Sequence, residues 1–238
     1  MGSTLIFLII LAIGIFAYFI GRSRAAAVVG GDVRKLHSRP VYFGSYAAIL
    51  ATLPAFVVLI VGLTVGGNMV DRSIRASFPA DVLAKPQAEQ NVVYQMVSAM
   101  AGVIHKLTPE QEAVATTDLE KFKEILGSKG VPLAQTPQPY MIEAARQLHS
   151  QNNTTHIVVG LASILISVLG ALLALKQISA TFRARNRVEW IMLGVLITSS
   201  TIAILTTFGI VGSLISETYR FFEVVPLTNF FFGTVWDP

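Results

Sequence analysis

Residues 4–20 read TLIFLIILAIGIFAYFI, seventeen positions without a charge, and close on Gly21-Arg22-Ser23-Arg24. A helix needs about 20 residues to cross ~30 Å of hydrocarbon at ~1.5 Å per residue, so this run is close to a full membrane span. Three similar runs follow: Tyr42 to Gly66, interrupted by Pro54; His156 to Leu175, closed by Lys176; and Trp190 to Ser213. Proline would break a helix in water, but a membrane helix tolerates it where a neighbour satisfies the freed carbonyl. A cleaved signal peptide carries its positive charge ahead of the apolar stretch. None stands there, so the first run is expected to be a retained anchor. The expected fold class is therefore all-α: a polytopic membrane protein with four transmembrane helices and a small helical exterior domain between spans 2 and 3. Of 238 residues, 53% are hydrophobic and 13% charged. That is about half the usual charge, and the hydrophobicity excludes a disordered chain. With no cysteine, a disulfide scaffold or thiolate metal site is excluded too.

Basic residues set the orientation of such a chain, since the loops that carry them stay on the cytoplasmic side. Arg22, Arg24, Arg34, Lys35 and Arg39 crowd the loop after span 1 against one acid, Asp32. Lys176, Arg183, Arg185 and Arg187 crowd the loop after span 3, with no acid before Glu189. Four spans put these two loops on one side, so charge and parity agree that both are cytoplasmic. The net charge of +4 is thus a topology signal. It gives little support to nucleic-acid binding, and the basic runs suit anionic lipid headgroups. The organisation expected is a transmembrane hairpin over 1–66 (spans about 4–20 and 42–66), an exterior, periplasmic helical domain over 67–155, a second hairpin over 156–214 (spans about 156–175 and 190–213) and an interfacial segment over 215–238.

Residues 67–155 hold eight Lys or Arg and nine Asp or Glu, a solvated and nearly neutral composition. Thr108-Pro109-Glu110-Gln111 has a capping hydroxyl, a proline at the first helical position and a glutamine placed for a capping box. Thr117-Asp118-Leu119-Glu120 repeats the pattern before Phe122, Ile125 and Leu126, with Gly127 and Gly130 as stops. From Gln87 to Leu107, Val92, Val93, Met96, Met100, Val103, Ile104 and Leu107 recur at helical spacing. Pro139 begins a further helix with Met141, Ala145 and Leu148 on one face, beyond a connector holding Pro132 and Pro137. Period-two alternation is scarce, which argues against a sheet. The segment Asp71 to Gln151 is expected to fold by itself.

Chemistry is sparse. His37, His105, His149 and His156 show no metal-ligand spacing, and packing explains them better than metal binding. No phosphate-cradling G-x-x-x-x-G-K-[ST] loop occurs, so ATP binding by that device is excluded. Gly62 and Gly66 in span 2, and Gly160, Ser163, Ser167, Gly170 and Ala174 in span 3, are small residues at helical spacing that let backbones approach. Thr198, Ser199, Ser200, Thr201, Thr206 and Thr207 enrich span 4 in hydroxyls, for which bonding to their own helix carbonyls is the simpler account. No charge lies deep in any span, although ion coupling usually needs one. No catalytic pair is seen. The chain is expected to be neither an enzyme nor, alone, a carrier of phosphate; Arg220 reads as an interfacial anchor.

The tail after span 4 concentrates aromatic residues: Tyr219, Phe221, Phe222, Phe230, Phe231, Phe232 and Trp236. Physically this is an interfacial belt, with a short helix opened by Pro226 and Thr228 and stopped by Gly233. The pattern formed by Phe221, Phe222, Pro226, Phe230, Phe232, Gly233, Thr234, Trp236 and Pro238 resembles the exterior segment of the PstC-type permease subunit of the bacterial phosphate ABC transporter. There it follows a span ending in a turn like Phe208-Gly209-Ile210-Val211-Gly212. Phe231 departs conservatively from the leucine more usual at its place. Residues 1 to about 180 resemble, more loosely, an N-terminal extension that only some members carry.

This resemblance implies the N-terminal membrane region of a permease subunit for inorganic phosphate, in the bacterial inner membrane. It implies a second permease subunit, cytoplasmic ATPase subunits that hydrolyse the ATP, and a periplasmic phosphate-binding protein as partners. No cofactor is implied in this chain. It also implies a longer permease, because the coupling loop and later core helices of that family have no counterpart here. A periplasmic helical domain between two spans also fits a bacterial sensor or chemoreceptor. A receptor, however, would continue from span 3 into a cytoplasmic signalling helix, whereas this chain re-enters the membrane after about a dozen residues.

Overall fold

The computed structural model describes residues 2–133, 135–225 and 227–233. Among them there is no strand, and four helices are long and apolar enough to cross a membrane. The all-α expectation holds. In order, the elements are α1 (Ser3–Val28), a 3-10 turn (Val33–Lys35), α2 (Pro40–Ala76), α3 (Ala80–Leu83), α4 (Gln87–Ile104), α5 (Pro109–Thr117), α6 (Leu119–Ser128), α7 (Pro139–Gln177), α8 (Ala184–Val224) and α9 (Leu227–Phe232). They fall into two compact units, one through Phe182 and one from Arg183.

In the first unit α1, α2 and α7 pack together through the apolar runs. The packing is close because the residues at the contacts are small. A Cβ on Gly62 would stand 2.7 Å from Val159 Cγ1, and one on Gly66 would stand 2.5 Å from Thr155 Cγ2. The G-x-x-x-G face of α2 is therefore the surface on which α7 lies. Gly160, Ser163, Ser167, Gly170 and Ala174 are all buried on the opposing helix. Helix association, the expected use of these residues, is what they do.

Pro54 lies inside α2 without ending it. Proline has no N–H, so the carbonyl four residues earlier, that of Leu50, loses its helical partner. A Cβ on Gly170 would fall on that same Leu50 carbonyl oxygen, inside van der Waals contact. The α7 backbone therefore covers the freed carbonyl, and only a residue without a side chain lets it come so near. Polarised Cα–H groups at such approaches supply a weak but recurrent attraction.

Both α2 and α7 outrun their apolar segments. At ~1.5 Å per residue they are ~55 Å and ~58 Å long, almost twice the hydrocarbon thickness. The compositional boundaries at 66/67 and 155/156 are not breaks in the chain: Gly66-Gly67 and Ser150-Gln151-Asn152-Asn153-Thr154-Thr155 are helical throughout. The third apolar run and the helix begun by Pro139 are one element.

Beyond the membrane runs, the ends of α2 and α7 close a second core with α3 to α6. Ile74, Phe78, Val97, Met100, Phe122, Leu126, Ala145 and Leu148 are fully or almost fully buried in it. The Thr108 hydroxyl accepts from Gln111 N–H while the Gln111 side chain accepts from Thr108 N–H. With Pro109 in the first turn, the expected box is complete. The second box is displaced by one residue. Asp118, not Thr117, caps α6 through Lys121 N–H, and Thr117 Oγ1 donates back to the Ala113 carbonyl inside α5. A carboxylate is the stronger acceptor for the partly positive helix start. The α4 stripe is likewise corrected: Val92 is 55% exposed, while Val97 and Ala101 take its place in the core. Gly130, at φ +89°, ends α6 with Val131 N–H donating to Leu126 and Gly130 N–H to Gly127, the left-handed stop that glycine favours.

In the second unit, α8 spans 41 residues and none of its most apolar window is buried. Its threonines bond locally, as they can in a membrane helix at little cost. Thr198 donates to Gly194, Thr201 to Ile197, Thr206 to Ile202 and Thr207 to Ala203, each to the carbonyl four residues back at 2.8–3.0 Å.

Candidate functional site

The nine basic residues of the topology signal occupy distinct local settings. Arg22 and Arg24 stand on the last two turns of α1, Arg34 and Lys35 on the 3-10 turn, Arg39 at the start of α2 and Lys176 in the last turn of α7. In the second unit Arg183 precedes α8, and Arg185 and Arg187 lie in its first turn, with Arg185 Nε 2.6 Å from Glu189 Oε1. α1 runs eight residues past Ile20 because Ala25–Val28 continue the helix. It stops where Gly30, at φ +63°, lets the chain turn back, with Gly31 N–H donating to Ala26.

The loops after α1 and after α7 are joined. His37 N–H donates to the Ala180 carbonyl at 3.0 Å, Tyr46 Oη donates to Gln177 Oε1 at 2.8 Å, and the Phe182 ring sits 5.0 Å from that of Tyr46. The first basic loop and the start of the second thus lie at one end of the three-helix bundle.

In the tail, Phe221, Phe222, Phe230 and Phe231 form an edge-to-face cluster with neighbouring centroids from 5.1 Å to 5.6 Å apart. This is the arrangement that the ring quadrupoles favour. Phe232 is 85% exposed, and Gly233 follows the end of α9. Pro226, Thr234, Trp236 and Pro238 lie outside the described residues. Arg220 is exposed, 3.9 Å from Glu217. A packed aromatic set at the end of a membrane helix suits an interface and offers no donor array for an anion.

Three polar groupings emerge that have no local sequence signature. Asp71 and Arg75, one turn apart on α2, grip Tyr94 of α4. The phenol donates to Asp71 Oδ1. The Arg75 guanidinium lies 4.1 Å over the ring, and also donates to Asn91 Oδ1 at 2.8 Å. A cation over an aromatic face is attracted by the ring quadrupole, so the arginine holds Tyr94 from a second side. The His105 and His149 rings stack at 4.9 Å with 11° between planes, joining the end of α4 to α7. An open cavity of about 280 Å³ is lined by Gly2, Ser3, His149, Asn152, Asn153 and His156, with Ser3 Oγ 3.3 Å from His156 Nδ1. Among the described residues no three His, Cys, Asp or Glu side chains converge as metal ligands. The partners in these groups are 16 to 153 residues apart, so nothing in the linear pattern pairs them.

Burial, followed by the hydrogen bond to Asp71, pushes the Tyr94 phenol well above its ordinary value, as loss of solvent and a donated proton both disfavour the phenolate. A raised acid is held protonated when folded, so its contribution is complete below the unfolded value near 10 and is lost as pH rises past it. The second core's melting temperature is expected to fall steeply above pH ~10, and Tyr94→Phe to flatten that fall while costing ~1–2 kcal/mol at neutral pH. Parallel melting curves across pH for the two proteins would remove the clasp from consideration.

Comparison with known proteins places this architecture. Residues 7–172 match the family described as "Phosphate ATP-binding cassette transporter". The match takes in α1 through most of α7 and stops short of α8 and the aromatic tail. No curated protein and no solved structure matches the chain. With well over half of its length covered, the chain belongs to the phosphate ATP-binding cassette transporter family.

Proposed function

We propose that the chain is the N-terminal membrane region of a permease subunit that takes up inorganic phosphate across the bacterial inner membrane. Its basic loops face the cytoplasm and the helical domain faces the periplasm. It acts with a second permease subunit, cytoplasmic ATPase subunits that hydrolyse ATP, and a periplasmic phosphate-binding protein. The chain's own contribution is mechanical, with no covalent step and no cofactor. One observation carries the reading: the family match coincides with the segment that folds as a packed membrane bundle bearing an exterior core. The aromatic tail supports the permease assignment, because it lies outside that match and carries an independent resemblance.

The test is uptake of labelled inorganic phosphate by phosphate-starved cells. Deleting the gene is expected to abolish the ATP-dependent, high-affinity component and leave sulfate uptake intact. Unchanged phosphate uptake would refute the proposal. A separate measurement checks orientation. A reporter fused after Arg34 or Arg185 is expected in the cytoplasm, and one at Lys121 outside; a cytoplasmic Lys121 reporter would invert the topology.

A further inference from the structure

We infer that the stacked His105–His149 pair is a proton-operated joint, which releases the end of α4 from α7 when acid charges both rings. The inference does not rest on the proposed function and holds whichever side of the membrane the second core faces. Three of the chain's four histidines are gathered here. The rings of His105 and His149 lie 4.9 Å apart and 11° from parallel. His105 is the C-terminal cap of α4 and is exposed. His149 is half-buried and shares one face of α7 with Asn152, Asn153 and His156, at the three- and four-residue steps of a helix. These four residues line the open cavity of about 280 Å³. Water and its protons therefore reach both rings of the pair.

Histidine is the side chain that changes charge between pH 5 and 8, and two imidazolium rings at this spacing repel. The carbonyls that end α4 can receive one such charge, at His105, but not the second on the ring stacked against it. What makes the second charge disruptive is the lack of a carboxylate to meet it. Among the described residues no ion pair includes His105, His149 or His156, and His156 Nδ1 meets the neutral Ser3 hydroxyl. No acid lines the cavity. The ionisable groups on the elements that meet here are cations or are engaged elsewhere. Lys106 follows His105, and Arg146 stands one turn ahead of His149 on α7, where Glu143 accepts from Gln147. On α2, Asp71 holds the Tyr94 phenol, Arg75 lies over the Tyr94 ring, and Arg72 is exposed. On α1 no ionisable side chain precedes Tyr18. Glu110 and Glu112 occupy the first turn of α5, at that helix's own partly positive start.

The experiment is hydrogen exchange of the full chain in detergent, read by mass spectrometry over the second half of α4 and corrected for the intrinsic rate at each pH. Between about pH 7.5 and about pH 5, protection there is expected to fall about tenfold, the scale of repulsion between two charges ~5 Å apart at a protein surface. Salt at ~1 M should restore most of it, because screening acts on exposed charges. His105→Phe keeps a stacked ring without the charge and should hold protection equal at the two pH values. His105→Gln discards the ring and should be equally flat, at lower protection. His37→Gln alters a histidine outside the joint and should respond to acid as the parent does. Unchanged protection in the parent would overturn the inference. So would a fall in His105→Phe and His105→Gln as large as the parent's, which would assign the acid response to carboxylates of the second core.

Discussion

Leucine at position 170 is expected to prevent the membrane bundle from assembling. The Cβ it introduces would land on the Leu50 carbonyl oxygen, and neither that oxygen nor the α7 backbone can rotate aside. Ordinary overpacking costs about 1–3 kcal/mol because side chains can yield. Here the helices must separate, which removes the cover from a carbonyl that Pro54 has already deprived of its partner and leaves it bare in hydrocarbon. The detergent-solubilised variant should be lost to aggregation or proteolysis. Gly194→Leu on α8, where nothing lies within 4 Å, should leave the first unit's stability unchanged. A Gly170→Leu protein melting within a few degrees of the parent would mean that α7 is not seated on Leu50.

The second large effect is expected outside the membrane. Met100 is 1% exposed in the second core, the one closed by α3 to α6. Aspartate there would bury a charge with no cation placed to receive it, at several kcal/mol, a large share of the roughly 5–15 kcal/mol that holds a typical domain together. Met100→Asp should therefore open residues 80–133 to protease in the intact chain while the membrane helices stay protected. Val92→Asp, in the same helix but 55% exposed, serves as the control and should be silent. Equal protease resistance of both variants would disprove the core as described.

Much of this was legible in the residues, and what was not has a physical reason. Four runs of about twenty apolar residues admit hardly any alternative to membrane helices, and the Thr108 box is a local pattern whose partners sit three residues apart. Small residues at Gly62, Gly66 and Gly170 announced close helix packing. Their partners could not be read, since which carbonyl Gly170 covers depends on the register of two helices. The same holds for Tyr94, whose partners lie on another element, and for the continuity of α7, because polar Ser150–Thr155 read as a boundary. The more specific resemblance rested on the aromatic tail, whereas the family match lies in residues 7–172, the segment whose likeness to an N-terminal extension was the looser one. Helical bundles without a bound ligand carry few side chains whose chemistry betrays their use, so the site was the least readable part.

The unbroken passage of α7 through the polar boundary makes it a lever. No glycine or proline lies between Pro139 and Gly160, so the stretch of α7 ahead of its apolar run has no hinge at which to absorb motion. From Pro139 to His156 it extends ~26 Å. At that length a tilt of about 10° at the bilayer surface displaces the outer tip by ~4–5 Å, close to the pitch of a helical turn. Force applied to the second core would travel along the same arm, as a small rotation about the α2 contact at Gly62 and Gly66.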